Sequence, residues 1–502
     1  TKRHASFKSN ASKTRTPVIY AGANDGMLHG FNATVGETNS GQEVLAYIPS
    51  QVFNDARYQG LHALTNKNYQ HRYYVDLTPS ISDAFINNGT SKDWRTVLIG
   101  GLRAGGKGYF ALDITKPSDF KNANKEKVVL WELNEHNDPY GSDDLGYSYS
   151  HPIVSMMNNG KWAVIFGNGY NSTNGKAILY IAYLEEGINR WVTSDIKRLT
   201  TGVGSSTNQN GLSSPAVVDL NGDSVADRIY AGDLKGNLWA FDVSGATDSQ
   251  WSVAYDTSSV PKPLFKAKKS TINQPITAKP LVVRNDATPD GSGANVLVLF
   301  GTGQYLTAAD VSNQAPQSFY GVWDHGNKVL RRNKLSARTL SIDNATGARK
   351  VTGTAMDWTT SQGWYIDLSL GSTASNTSAE RSILKPLVRK DAVYFNTTIP
   401  TSNYCSAGGS GWIMSVDHNT GLATTKASIN ANNTNGYSTI GNDDQGFVGK
   451  FESSGMLTES KMLGDQMYTA VSTATGNKVI KDPVPSLSSG AGQLGWQEII
   501  PK

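Results

Sequence analysis

The sequence predicts an all-β propeller of modified blades, and three observations predict it. An aromatic-rich two-run motif recurs six times, Pro-led strands open several of the units, and Gly is abundant at 50 of 502 residues while charged residues are scarce at 18%. Short strands joined by turns of varying length, with one aromatic motif per unit, are what a radial array of sheets produces.

Each copy has a β-branched or aromatic run closed by Gly, a loop, and a second run closed by Asp or Asn. The copies are 19–22 with 28–32, 97–100 with 109–113, 164–167 with 179–183, 229–232 with 238–242, 298–301 with 319–324, and 393–396 with 412–417. The third ends instead in Tyr183, and the first run of the sixth closes on Asn396. Strands led by Pro79, Pro152, Pro215 and Pro280 add a third or fourth strand per unit, and Pro at the first strand position removes no ladder bond. Six to eight blades fit this spacing, with seven preferred. Residues 1–502 then form one propeller domain, with a polar lead over 1–15, a degenerate blade or surface excursion over about 425–476, and a closing strand over 494–500. Ser50 to Leu64 and the stretch after Glu459 could each hold a short helix.

The longest apolar run, Ala177 to Leu184, is far below the roughly 20 residues that span a bilayer. Thr1 opens a polar stretch, so the chain reads as a piece excised from a longer precursor. The single Cys405 excludes an internal disulfide. Net charge is +4, and the basic stretches lie in Ser-, Pro- and Asn-rich segments without a periodic face, which argues against nucleic-acid binding.

The sharpest chemical signal is Asp219-Leu220-Asn221-Gly222-Asp223-Ser224-Val225-Ala226-Asp227. Asp219, Asn221, Asp223 and Asp227 offer side-chain oxygens at positions one, three, five and nine, and Val225 offers a carbonyl at position seven. A hard cation such as Ca2+ takes six to eight oxygens, and this spacing delivers them from one tight loop. Position twelve is Tyr230, not a bidentate Glu, and Ser224 stands where Gly often permits positive φ. Both departures point to weak binding. The competing reading is an Asx-rich turn with solvated carboxylates.

The other polar residues read as structural. Asp286 with Asp290-Gly291-Ser292-Gly293 looks like an exposed hairpin, and Asp113, Asp242, Asp324 and Asp417 look like strand-end residues. Trp239, Trp323, Trp364, Trp412 and Trp496 look like packing residues, the eight His show no metal-binding pairing, and the Gly-rich 100–108 reads as a long blade turn.

Taken with Ala23 to Phe31, His71 to Asp76, Val97 to Asp113, Trp162 to Asn171, Phe300 to Leu306 and Gly363 to Leu368, the chain resembles the C-terminal propeller domain of the PilY/PilC family of type IV pilus tip-associated biogenesis factors and adhesins. The resemblance implies a non-enzymatic protein of the bacterial cell surface and pilus tip, reaching it through the periplasm or outer membrane. It implies minor pilins as partners, a host-cell receptor as a further one, and roles in pilus extension and retraction, twitching motility and adhesion. It also implies that Asp219, Asn221, Asp223, Val225 and Asp227 bind Ca2+. No Arg-Gly-Asp tripeptide is present. Two rival readings stay open: a quinoprotein-like dehydrogenase, whose blade wording Asp25 to Asn32 and Gly236 to Asp242 echo, and a glycan- or host-protein-binding adhesin without a regulatory role.

Overall fold

A computed structural model describes residues 2–53, 60–89, 91–141, 143–188, 190–288, 293–326, 330–368, 379–401, 408–430, 446–473 and 475–485. The chain divides into two compact units, 1–229 with 241–253, and 230–240 with 254–502.

In the first unit, Val18–Gly22, Leu28–Asn32 and Glu43–Tyr47 form a three-stranded antiparallel sheet. Two four-stranded meanders follow: Ser80–Asn87, Lys92–Gly101, Gly108–Asp113 and Val129–Asn134, then Ile153–Met156, Trp162–Gly167, Lys176–Tyr183 and Ile196–Gly204. Both runs of each repeat pair directly, as in Ile99 opposite Ala111 and Ile165 opposite Ile181. The faces of the two meanders share one apolar core, in which the rings of Tyr109 and Phe166 lie 4.3 Å apart and Phe166 stacks on Tyr180.

In the second unit, an eleven-stranded sheet joins two blade-like groups, Leu281–Arg284 to Gly363–Asp367 and Leu387–Arg389 to Phe447–Glu452. They are connected through Ser336–Ile342 and Arg349–Thr352. A last four-stranded sheet holds Gly455–Leu457, Lys461–Leu463, Gln466–Thr473 and Gly476–Pro483. Across the described residues the sheets of three or more strands have three, four, four, five, eleven and four strands, so seven separate blades do not appear as such.

The recurring Gly has a steric cause. A Cβ at Gly167 would lie 2.3 Å from the Ser213 carbonyl oxygen, and one at Gly301 would lie 2.4 Å from that of Ser382. Each Gly closes its strand where the chain entering the following sheet crosses against it. The residue after the Gly is then a buried polar plug: Asn168, Asp233 and Thr302 are all fully enclosed, as is Thr397 after Asn396.

The polar lead over 1–15 contains a helix, Lys2–Thr14. An isolated helix of that length is marginal, and this one is anchored by His4, which stacks on Trp94 at 4.1 Å and meets Asp83 at 3.0 Å. The stretch after Glu459 is strand, not helix, because Gln466–Thr473 alternates buried and part-exposed side chains with period two. Ser50 to Leu64 holds short helices, of 3-10 form, at Ser50–Val52 and Gly60–Thr65 among its described residues, as expected. Of 425–476, the described residues from Phe447 onward hold the strands Phe447–Glu452, Gly455–Leu457, Lys461–Leu463 and Gln466–Thr473. The expected closing strand 494–500, Cys405 and Trp496 lie outside the described residues.

Candidate metal site

The loop Asp219 to Asp227 leaves strand Ala216–Val218 and returns into the strand beginning at Arg228. Its far end is pinned: Ala226 N–H donates to the Met156 carbonyl at 3.0 Å, Asp227 N–H to that of Val218 at 2.9 Å, and Asn158 Nδ2 to that of Ala226 at 2.8 Å. Asp227 is buried, whereas Asn221, Gly222, Asp223 and Ser224 are exposed.

Within the loop each predicted side chain accepts backbone hydrogen bonds. Asp219 Oδ1 accepts from Asn221 and Gly222 at 3.2 and 2.6 Å, and its Oδ2 accepts from Ser224 at 2.6 Å. Asn221 Oδ1 accepts from Asp223 at 2.9 Å, Asp223 Oδ1 from Val225 at 2.8 Å, and Asp227 Oδ2 from Leu220 at 2.8 Å. This is a ladder of Asx turns. Ser224 takes φ 71°, the left-handed region that Gly would enter without the roughly 1–2 kcal/mol Cβ clash.

The donor chemistry fits a hard cation, with carboxylates and carbonyl oxygens only. The side chains are not gathered around a point, however. Among the described residues, no group of three or more His, Cys, Asp or Glu side chains stands close enough to hold a metal ion. The loop as it stands is the Asx ladder.

The remaining sequence candidates fall into structural places. Asp113 and Asp242 accept from the amides of Thr115 and Ser244, and Asp417 accepts from that of Thr420, as strand-end residues do. Asp324 is fully buried between the hydroxyls of Tyr230 and Tyr255. Asp286 is exposed, and 289–292 lie outside the described residues.

His29 has a partner on each ring nitrogen, Asp25 at 2.9 Å from Nε2 and Glu43 on Nδ1. The hydrogen bond to Glu43, then that to Asp25, favours the imidazolium and lifts the His29 pKa above its ordinary 6.5. With the folded value raised, this stabilisation is complete below the unfolded value of about 6.5 and is lost as pH rises through the folded one. An NMR titration is expected to place the His29 midpoint above 6.5, and Glu43→Gln to lower it. A wild-type midpoint at or below the model-peptide value would refute the arrangement.

Known proteins share this chain's sequence and fold. The family model described as the PilY1 beta-propeller domain matches residues 2–346. A type IV pilus biogenesis factor PilY1 homolog of Xylella fastidiosa is 38% identical over 453 residues, covering 88% of this chain and 29% of that protein. PilY1 of Pseudomonas aeruginosa is 38% identical over 456 residues, covering 83% and 36%. The chain thus spans about a third of the length of these curated relatives. The crystal structure of the Pseudomonas aeruginosa PilY1 C-terminal domain superposes with a TM-score of 0.70 at 32% identity, covering 96% of this chain and 95% of that one.

Proposed function

The chain belongs to the PilY1 β-propeller family, and from that premise we propose that it is the propeller part of a calcium-responsive type IV pilus biogenesis factor. In this reading it works at the cell surface and pilus tip with minor pilins as partners, biases pilus extension against retraction, and supports twitching motility and adhesion. The observation that carries the calcium element is the nine-residue loop with oxygen donors at positions one, three, five, seven and nine, Asp219, Asn221, Asp223, Val225 and Asp227. Bound Ca2+ would supply positive charge to the carboxylates of Asp219, Asp223 and Asp227. The chain's own contribution is to fix where they stand, through the anchored Ala226 and Asp227.

Linkage bounds the effect. At 100 times its dissociation constant an ion favours the state it binds by about 2.7 kcal/mol. That tilts a balanced equilibrium and does not drive movement. Relatives named as pilus biogenesis factors point to a non-enzymatic role.

Calorimetric titration of chelator-treated protein with Ca2+ is expected to show one site, lost in Asp227→Ala. Because Asp227 is buried and caps the Leu220 amide, the exposed Asp223→Ala serves as a second variant that leaves the fold alone. Absence of heat up to millimolar Ca2+, or unchanged heat in both variants, sinks the calcium reading and leaves the pilus assignment on family membership.

A further inference from the structure

The far end of the Asp219 to Asp227 loop is held by a side chain that stands outside it. Strands Ile153–Met156 and Trp162–Gly167 of the second four-stranded meander are joined by a tight turn. Met157 N–H donates to the Lys161 carbonyl and Gly160 N–H to that of Met157, both at 2.9 Å, and Gly160 takes φ 77°, which its missing Cβ allows. Two adjacent Asn residues occupy this turn and do different things. Asn159 closes it: its Oδ1 accepts from the Lys161 amide at 3.2 Å, and its Nδ2 donates to the Tyr183 hydroxyl at 2.9 Å. Asn158 reaches out of it, and its Nδ2 donates to the carbonyls of Ala226 at 2.8 Å and Val243 at 3.1 Å.

Those two carbonyls flank Asp227. Ala226 precedes it in the chain, and Val243 N–H donates to the Asp227 carbonyl at 3.0 Å. With Ala226 N–H on Met156 and Asp227 N–H on Val218, the N–H and C=O of both Ala226 and Asp227 are engaged. Three of these four bonds run from backbone to backbone and would form with any residue but proline. The bond from Asn158 alone depends on a side chain. Residues 221–224, by contrast, are exposed. The loop therefore has a fixed ninth position and a solvent-facing outer part, and donors that are placed before a ligand arrives spare the cost of ordering them on binding.

We propose that Asn158 is a positioning residue for the calcium loop. From the neighbouring turn it fixes the Ala226 carbonyl and, through Val243, the peptide of Asp227, so that the buried ninth-position carboxylate is in place before an ion binds. Asn158 supplies no ligand oxygen in this role. The turn that carries it is itself braced, because Tyr183 donates onward to Asp248 at 2.8 Å, and Lys161 lies 4.6 Å over the Tyr183 ring while meeting Glu186 at 2.8 Å. The inference rests on the calcium reading. Linkage makes the coupling reciprocal: if the Asn158 contacts raise calcium affinity tenfold, bound calcium strengthens those contacts by the same factor.

Calorimetric Ca2+ titration of the whole chain tests it. Affinity is expected to fall about tenfold in Asn158→Ala and to stay unchanged in Asn159→Ala, which loses two hydrogen bonds of the same turn without touching the loop. A merely structural role would lower the unfolding midpoint and move neither affinity. In the wild type, the amides of Ala226 and Val243 are expected to exchange about tenfold more slowly once Ca2+ is added, a measurement that stands even where Asn158→Ala fails to fold. Equal affinity in wild type and Asn158→Ala, or equal losses in the two variants, overturns the proposal and spares the calcium reading. Unchanged exchange at Ala226 and Val243 in calcium-bound protein does the same. No calcium binding by the wild type counts against both.

Discussion

Asp233→Ala is expected to cost about 4 kcal/mol or more of stability. The carboxylate is fully buried and satisfies four donors. Oδ1 accepts from the amides of Lys235 and Asn237, both at 2.9 Å, and Oδ2 accepts from Asn237 Nδ2 at 2.8 Å and Trp239 Nε1 at 2.9 Å. Truncation strands several of these donors away from water, each at roughly 1–3 kcal/mol. It also removes the plug that shapes the turn between Arg228–Gly232 and Asn237–Asp242. Asp233→Asn should lose less, because it keeps the two backbone bonds and fails only toward Asn237 and Trp239, where an amide N–H meets donors. Urea unfolding of the full chain reads both variants, and a loss below about 1 kcal/mol for the alanine variant would refute the plug.

Glu380→Ala is expected to cost about 3–5 kcal/mol, for a different reason. Arg349 and Glu380 form a two-pronged ion pair, both prongs 2.7 Å, with each side chain 1% exposed. The guanidinium also lies 4.0 Å over the Trp412 ring. Removing the carboxylate leaves an uncompensated buried cation. The pair itself contributes little net stability, because burying two charges offsets most of their attraction, and Arg349 Nε finds no acceptor among the described residues. The double variant Arg349→Met, Glu380→Leu should therefore recover to within about 1 kcal/mol of the parent. Denaturant midpoints for both single variants and the double variant check this, and a double variant as unstable as the single ones would show that the pair stabilises outright.

Much of the fold was legible because its cues are local. Runs such as 97–100 and 109–113 carry β-branched and aromatic residues bounded by turn residues, and they form the strands expected of them. The loop from Asp219 to Asp227 could be found because alternate oxygen donors are themselves a short-range pattern. The same locality explains the misses. The helix of the lead was not legible because nothing in its composition shows that Trp94 and Asp83 await His4. The strands after Glu459 looked helical because their alternation runs through Gln, Tyr, Thr and Ala, where hydrophobic contrast is faint.

By itself, then, the sequence determined the all-β class, the repeat, the family and the donors of the candidate calcium loop. Each of these is written in residue type and spacing over a dozen positions or so. Only the tertiary structure decided that Asp233 is a plug, that Arg349 meets Glu380 across 31 residues, that one sheet joins two blade-like groups, and that Asn158 meets Ala226 across 68 residues. Burial and strand partnership are properties of what lies on the far side of a residue, and a chain's local pattern does not carry them.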